Sequence, residues 1–134
     1  MRGGQTIVRN DKILYPELSY QINGVLMDVA KTLGGGHKEN YYGNACAVGF
    51  TKRQISFQRE VYVPLTYEDE KVGKYFVDFL IENKIILELK RGQFISSSVI
   101  EQTKQYLVAK NLKLGIIGCF TYNGVVIKRV VNEY

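Results

Sequence analysis

Residues 75–90 read YFVDFLIENKIILELK, and the reading of this stretch decides the fold. Tyr75 to Ile81 is apolar on both faces except at Asp78, and Ile85 to Lys90 is apolar except at Glu88 and Lys90. Strands of this kind are covered on both sides, so both are expected near the centre of a sheet. Charged side chains inside such strands are unusual and need a reason. Residues two apart on a strand share a face, so Glu88 and Lys90 point the same way. Whether Asp78 joins them depends on the turn between the strands. A two-residue turn at Glu82-Asn83 pairs Ile81 with Lys84 and sends Asp78 to the other face. A three-residue turn at Glu82-Asn83-Lys84 pairs Ile81 with Ile85, hence Asp78 with Glu88, their Cβ atoms roughly 4.5–5.5 Å apart. Asn83 tolerates the left-handed backbone that such a loop requires, so the longer turn is expected.

Two carboxylates brought this close form an oxygen-rich site for a hard cation such as Mg²⁺, with Mn²⁺ as the alternative. A cation there activates water and offsets charge growing on a phosphate. Lys90 orients that water or stabilises the charge, and apolar walls strengthen both effects. The Leu89 carbonyl is a further candidate ligand. A plain cross-strand Asp–Lys or Glu–Lys pair is the competing explanation for such a pattern. It is weakened here because all three residues lie in strongly apolar strands that are followed by a helix.

Outward from this core, Ser98 begins a helix with Glu101 three residues on as a capping box, running to about Asn111. Gln102 and Tyr106 are four apart on it and share a face. Leu114 to Phe120 is another buried strand, Asn123-Gly124 is a hairpin turn, and Val125 to Val131 returns beside it. On the other side, Ile55 to Tyr67 alternates with period two, and Pro64 argues for an edge position or a bulge. A turn at Glu68 to Lys71 follows. Pro16 and Glu17 start a helix with Leu18, Ile22, Val25, Leu26, Val29 and Leu33 on one face. Gly34, Gly35 and Gly36 end it. A second helix, weaker in pattern, is expected from about Lys38 to Lys52. Met1 to Lys12 reads as a loose arm before a single domain over residues 13–134. The fold class is α/β, a mixed central β-sheet flanked by α-helices.

The chain has 134 residues, room for one domain. Its net charge of +5 favours a polyanionic partner. Two cysteines, Cys46 and Cys119, make neither a disulfide framework nor a CxxC metal site. With no membrane span and no apolar signal core, a cytoplasmic setting is expected.

The order and spacing of the motifs resemble the GxxExxY family, a compact branch of the PD-(D/E)XK nuclease superfamily. The naming motif stands as Gly36-His37-Lys38-Glu39-Asn40-Tyr41-Tyr42, the superfamily core as Asp78 with Glu88-Leu89-Lys90, and a QxxxY pattern as Gln102-Thr103-Lys104-Gln105-Tyr106. The tail with Ile127-Lys128-Arg129 is similar too, and the likeness spans Leu14 to Asn132. It departs in the glycine turn, where a proline is common in such families. The resemblance implies a restriction-endonuclease-like core and a Mg²⁺-dependent nuclease. Asp78 and Glu88 would hold the metal, Glu39 would support it or its water, and Gln102 and Tyr106 would position a phosphate or Lys90.

The only histidine, His37, stands beside Glu39 and reads as a solvated loop residue. Arg91, Lys104, Lys110 and Lys113 are candidate contacts to a nucleic-acid backbone, DNA before RNA. Two other functions remain open: a nucleic-acid-binding module that does not cut, and an interaction subunit of a larger nuclease or helicase assembly. Homodimers or larger assemblies fit either.

Overall fold

The computed structural model describes residues 14–133, so the arm expected at Met1–Lys12 lies outside the described residues. Pro16, whose missing N–H is no loss in a first turn, opens helix α1 (Pro16–Leu33). Its buried stripe is Ser19, Ile22, Val25, Leu26, Val29 and Ala30, while Leu33 is exposed. Gly34 and Gly36 take φ of 74° and 90° and turn the chain into helix α2 (Glu39–Lys52).

Strand β1 (Phe57–Tyr67) follows, then a two-residue turn at Glu68-Asp69 with both φ positive, and strand β2 (Glu70–Ile81). That tight turn makes β2 five residues longer at its start than the apolar run from Tyr75 indicates, because its first half is exposed and polar. Strand β3 (Ile85–Arg91) leads through a loop to helix α3 (Ser97–Lys110). The expected Ser98–Glu101 capping box is not made. Ser96 is the N-cap, its hydroxyl accepting from the Val99 N–H, and Glu101 faces solvent beside Lys104. Three serines in a row leave the sequence ambiguous about which one caps. Strand β4 (Leu114–Thr121) and strand β5 (Gly124–Val131) close the described chain. Their turn is Tyr122-Asn123, one residue earlier than expected, since Gly124 already pairs with Thr121. The Thr121 hydroxyl is bonded to the Asn123 N–H and the Gly124 carbonyl.

The sheet order is β1-β2-β3-β4-β5, parallel between β3 and β4 and antiparallel elsewhere. Helices α1 and α2 cover one face over a core that includes Leu26, Tyr42, Phe50, Phe79, Leu87 and Leu89. Helix α3 covers the other over Val63, Val77, Ile86, Leu107 and Ile117. This is the α/β sandwich expected from the element order, with a restriction-endonuclease-like arrangement of helices about a mixed sheet.

Candidate active site

The β2–β3 loop is the three-residue one. Ile81 pairs with Ile85, Leu80 with Ile86 and Phe79 with Leu87. Glu82 and Asn83 both take the left-handed backbone, and the Lys84 N–H closes the turn on the Ile81 carbonyl. Continuing that register sets Asp78 opposite Glu88, but the backbone ladder stops one step short. The Asp78 N–H donates to Glu88 Oε2 at 2.8 Å, and the Leu89 N–H donates to Asp78 Oδ2 at 2.7 Å. The two carboxylates stand where carbonyls would otherwise be. Backbone donors, which do not move, thereby fix both of them.

A second irregularity meets the first. Between β1 and β2, Arg59 pairs with Phe79 and Val61 with Val77, but Glu60 and Asp78 between them do not pair. Glu60 takes φ of 52°. Phe57 and Phe79 pack under α1 and α2, whereas Val61, Val63 and Val77 pack under α3. Both strands therefore roll over at Glu60 and Asp78. Apart from Val72 at the irregularity near the hairpin tip, Asp78 is the residue of β2 that neither neighbour holds in a regular ladder.

A small cavity of about 110 Å³ opens there, lined by Glu39, Asn40, Gly43, Arg59, Glu60, Asp78, Phe79 and Leu89. Glu88 is 4% exposed, a charged residue in the heart of the sheet, and lies behind Asp78 rather than along the cavity wall. Its carboxyl is pushed up to about 8, first by burial and then by Asp78 and Glu39, against the Asp78 N–H and Lys90. Asp78 is raised by burial, with Glu60 adding to the rise and the Leu89 N–H, Lys90 and Arg59 opposing it. Glu39, exposed at the cavity mouth, is raised by partial desolvation and by Asp78, and lowered by Lys90 and Arg91. Lys90, two residues from Glu88 on the same strand, lowers all three carboxyls against the burial that raises them.

The naming motif of the first helices has a mechanical meaning. Tyr42 is buried, stacks on Phe120 with ring centroids 4.1 Å apart, and donates its hydroxyl to the Gly34 carbonyl at 2.7 Å. The same oxygen accepts from the His37 N–H. Tyr42 so pins the glycine turn, and Glu39, three residues before it, is aimed at the sheet. His37 is not merely solvated, because its Nε2 lies 2.9 Å from the Leu33 carbonyl at the end of α1.

Tyr106 is buried in the core under α3 with its ring beside Tyr75, and burial and then Glu88 hold its hydroxyl above the usual tyrosine range. Gln102 stands one turn earlier on α3. Arg91 is drawn to the site, donating to the His37 carbonyl at 2.8 Å. Lys104 pairs with Glu101 on the exposed side of α3. Lys110 and Lys113 lie elsewhere, since Lys113 precedes Leu114, which pairs with Ile85 at the start of β3, whereas Lys90 pairs with Cys119 near its end.

Sequence reasoning missed Arg59 and Glu60. Arg59 donates to Asn44 Oδ1 at 2.9 Å, lies over the Phe79 ring and lines the cavity beside Asp78. A break in the β1 alternation, where position 59 is charged between Phe57 and Val61, was the available signal.

Asp78, Glu88 and Glu39 offer only oxygen donors; all three are raised first by burial, and Glu88 and Glu39 further by neighbouring carboxylates, a repulsion that a hard divalent cation would relieve. The residues fit such an ion, with the Leu89 carbonyl as a further oxygen. No three metal-binding side chains among the described residues form a ready-made cage, so an ion or substrate would have to draw Glu39 in.

A profile described as the PD-(D/E)XK nuclease superfamily matches residues 16–130, and the chain belongs to that superfamily. Its nucleases generally use divalent metals. The fold is similar to that of the crystal structure of SSO0001, at a TM-score of 0.55 and 13% identity over 71% of this chain. The match spans 50% of that longer chain. No curated protein sequence matches. Among the described residues no helix is long and apolar enough to cross a membrane.

Proposed function

We propose that this protein is a Mg²⁺-dependent nuclease of the GxxExxY type that hydrolyses phosphodiester bonds in DNA, with Mn²⁺ as an alternative ion. The observation that carries this reading is the break in the β2–β3 ladder. A sheet gives up backbone pairing so that Asp78 and Glu88 sit side by side, with Lys90 two residues beyond Glu88 on β3. For a fold that only needed stability, buried carboxylates are costly.

In this reading Asp78, Glu88 and the Leu89 carbonyl hold the ion, with Glu39 on it or on its water. Bound there, the ion supplies Lewis-acid charge and acidifies water. Lys90 orients the attacking water or meets the charge that develops on the phosphate. Arg59, already braced by Asn44 and Phe79, holds a phosphate oxygen at the cavity. Tyr106 and Gln102 limit the motion of Glu88 and Lys90 from the α3 side. Arg91 is the contact to the nucleic-acid backbone that best fits this site.

The deciding experiment incubates the pure protein with DNA and RNA, with Mg²⁺, Mn²⁺ or EDTA, beside Glu88→Ala. Metal-dependent cutting by the wild type and none by the variant is the expected result. Equal cutting by both, or none under any metal, would sink the reading. Binding without cutting would leave the module that only binds nucleic acid.

A further inference from the structure

Beyond the roll-over at Glu60 and Asp78, the β1–β2 hairpin has one covered face and one bare face. Val61, Val63, Tyr75 and Val77 pack toward α3. The opposite face carries the cross-strand pair Tyr62 and Phe76, with ring centroids 5.8 Å apart and 37% and 52% exposed. Lys71 Nζ lies 5.2 Å from the Tyr62 ring, and Lys74, opposite Pro64, is on the same face by register. The acids of the hairpin, Glu68, Asp69 and Glu70, are gathered at its tip. This face is thus aromatic and basic, and it begins two residues along each strand from Glu60 and Asp78, a distance of roughly 6–7 Å.

We propose that Tyr62 and Phe76 form a base-stacking platform, and that the substrate at the adjoining site is single-stranded nucleic acid. The inference rests on the nuclease reading above and narrows it. Bases of a single strand offer open π-faces, which aromatic side chains take up irrespective of sequence, while lysines follow the backbone. In a duplex those faces are already stacked on one another. A strand with a phosphate at Asp78 places a neighbouring base over the platform. A second copy of the chain is the weaker occupant. β1 is an edge strand, but Pro64 lacks the N–H needed for edge pairing and Glu60 breaks the edge with its left-handed backbone.

The test measures binding of a labelled single-stranded DNA, its RNA counterpart and the matching duplex by fluorescence anisotropy. The intact protein is used in EDTA so that nothing is cut. Tyr62→Ala and Phe76→Ala are expected to weaken single-strand binding by about 5- to 100-fold and duplex binding by less than about 2-fold. Tyr62→Phe keeps wild-type binding, as does Tyr20→Ala, an exposed aromatic on α1. Lys71→Gln and Lys74→Gln each lower the salt slope by about 0.7. Melting curves confirm that each variant is folded. Single-strand binding unchanged in both alanine variants overturns the platform, as do equal losses on duplex or a wild-type dimer that these variants dissolve. If the wild type binds no nucleic acid, the nuclease reading fails with it. If the wild type binds and cuts while the variants bind as it does, only the platform fails.

Discussion

The β4–β5 and β2–β3 hairpins use the same kinds of residue to different ends. β4 and β5 pair without interruption from Thr121–Gly124 to Leu114–Val131, across a two-residue turn. β2 and β3 pair at three positions beyond a three-residue turn and then separate, with Asp78 and Glu88 taking over the backbone bonds. The first hairpin places no carboxylate; it holds the core and backs the glycine turn through Phe120 and Tyr122. The second yields regular pairing at the point where two carboxylates must be placed, and its odd loop length makes them face each other. Stability and site construction are thus separable along a single sheet.

The largest effects are expected from changes in the two loops. Deleting Asn83 forces a two-residue turn and flips every side chain of one strand across the sheet. Cleavage should be lost and the melting temperature should collapse. Replacing Asn123 by alanine in the other hairpin should leave cleavage within about 2-fold and stability within about 1 kcal/mol, because only its backbone N–H is bonded there and Tyr122, which packs on the glycine turn, is kept. Equal damage from both changes would mean the odd loop has no special role.

Next in size are the side chains themselves. Lys90→Ala should lower the cleavage rate by about 10²–10⁴-fold with the fold intact, as expected for a positioned acid–base group. A loss below about tenfold would show Lys90 to be structural. Circular dichroism and melting on the same samples keep misfolding apart from lost chemistry.

The buried Glu88 gives the β2–β3 hairpin a pH signature. Its carboxyl is raised from 4.5 to about 8. Folding therefore favours the protonated form. The stabilising contribution is complete below pH 4.5 and is lost as pH rises through about 8. In EDTA the protein should melt several degrees lower at pH 9 than at pH 6, and Glu88→Gln should flatten that slope. Mg²⁺ should restore more stability at pH 8.5 than at pH 6, since the ion takes the charged form. A wild-type slope no steeper than that of Glu88→Gln would contradict the burial of a raised carboxyl.

Much of this was legible because the informative residues break strong patterns. Asp78, Glu88 and Lys90 interrupt apolar strands, and the count of turn residues alone is enough to bring the two carboxylates together. The helix at Pro16–Leu33 was legible from its apolar spacing and glycine boundary, whereas that at Glu39–Lys52 showed only a weak pattern interrupted by Gly43 and Gly49. The roll-over at Glu60 was not, because left-handed backbone at a glutamate follows from tertiary packing and leaves no local signal beyond a gap in alternation. The cap at Ser96 was missed because neighbouring serines are equivalent in sequence and differ only in backbone angles. Lys110 and Lys113 looked near the site along the chain, but the parallel crossover through α3 carries them to the opposite end of β3.

The smallest expected effect is also the most diagnostic, because stability and activity should move in opposite directions. Gly43 lies inside α2 and does not need glycine's conformational freedom, since it is not among the residues with positive φ. Replacing it by alanine should stabilise the helix by about 0.5–1 kcal/mol. The new Cβ would lie 2.7 Å from the Arg59 Nη2 and 3.9 Å from Leu89, and only the first is too close. Arg59 is the far end of a flexible chain, so it would swing away at little cost to the fold. That movement breaks its bond to Asn44 and its place over Phe79 beside Asp78. Gly43→Ala should therefore raise the melting temperature slightly and lower the cleavage rate by several-fold to tenfold. Arg59→Ala should lower cleavage at least as much, and adding Gly43→Ala to it should cost nothing more. If Gly43→Ala slows cleavage further in the Arg59→Ala background, the glycine acts through something other than the room it leaves for this guanidinium.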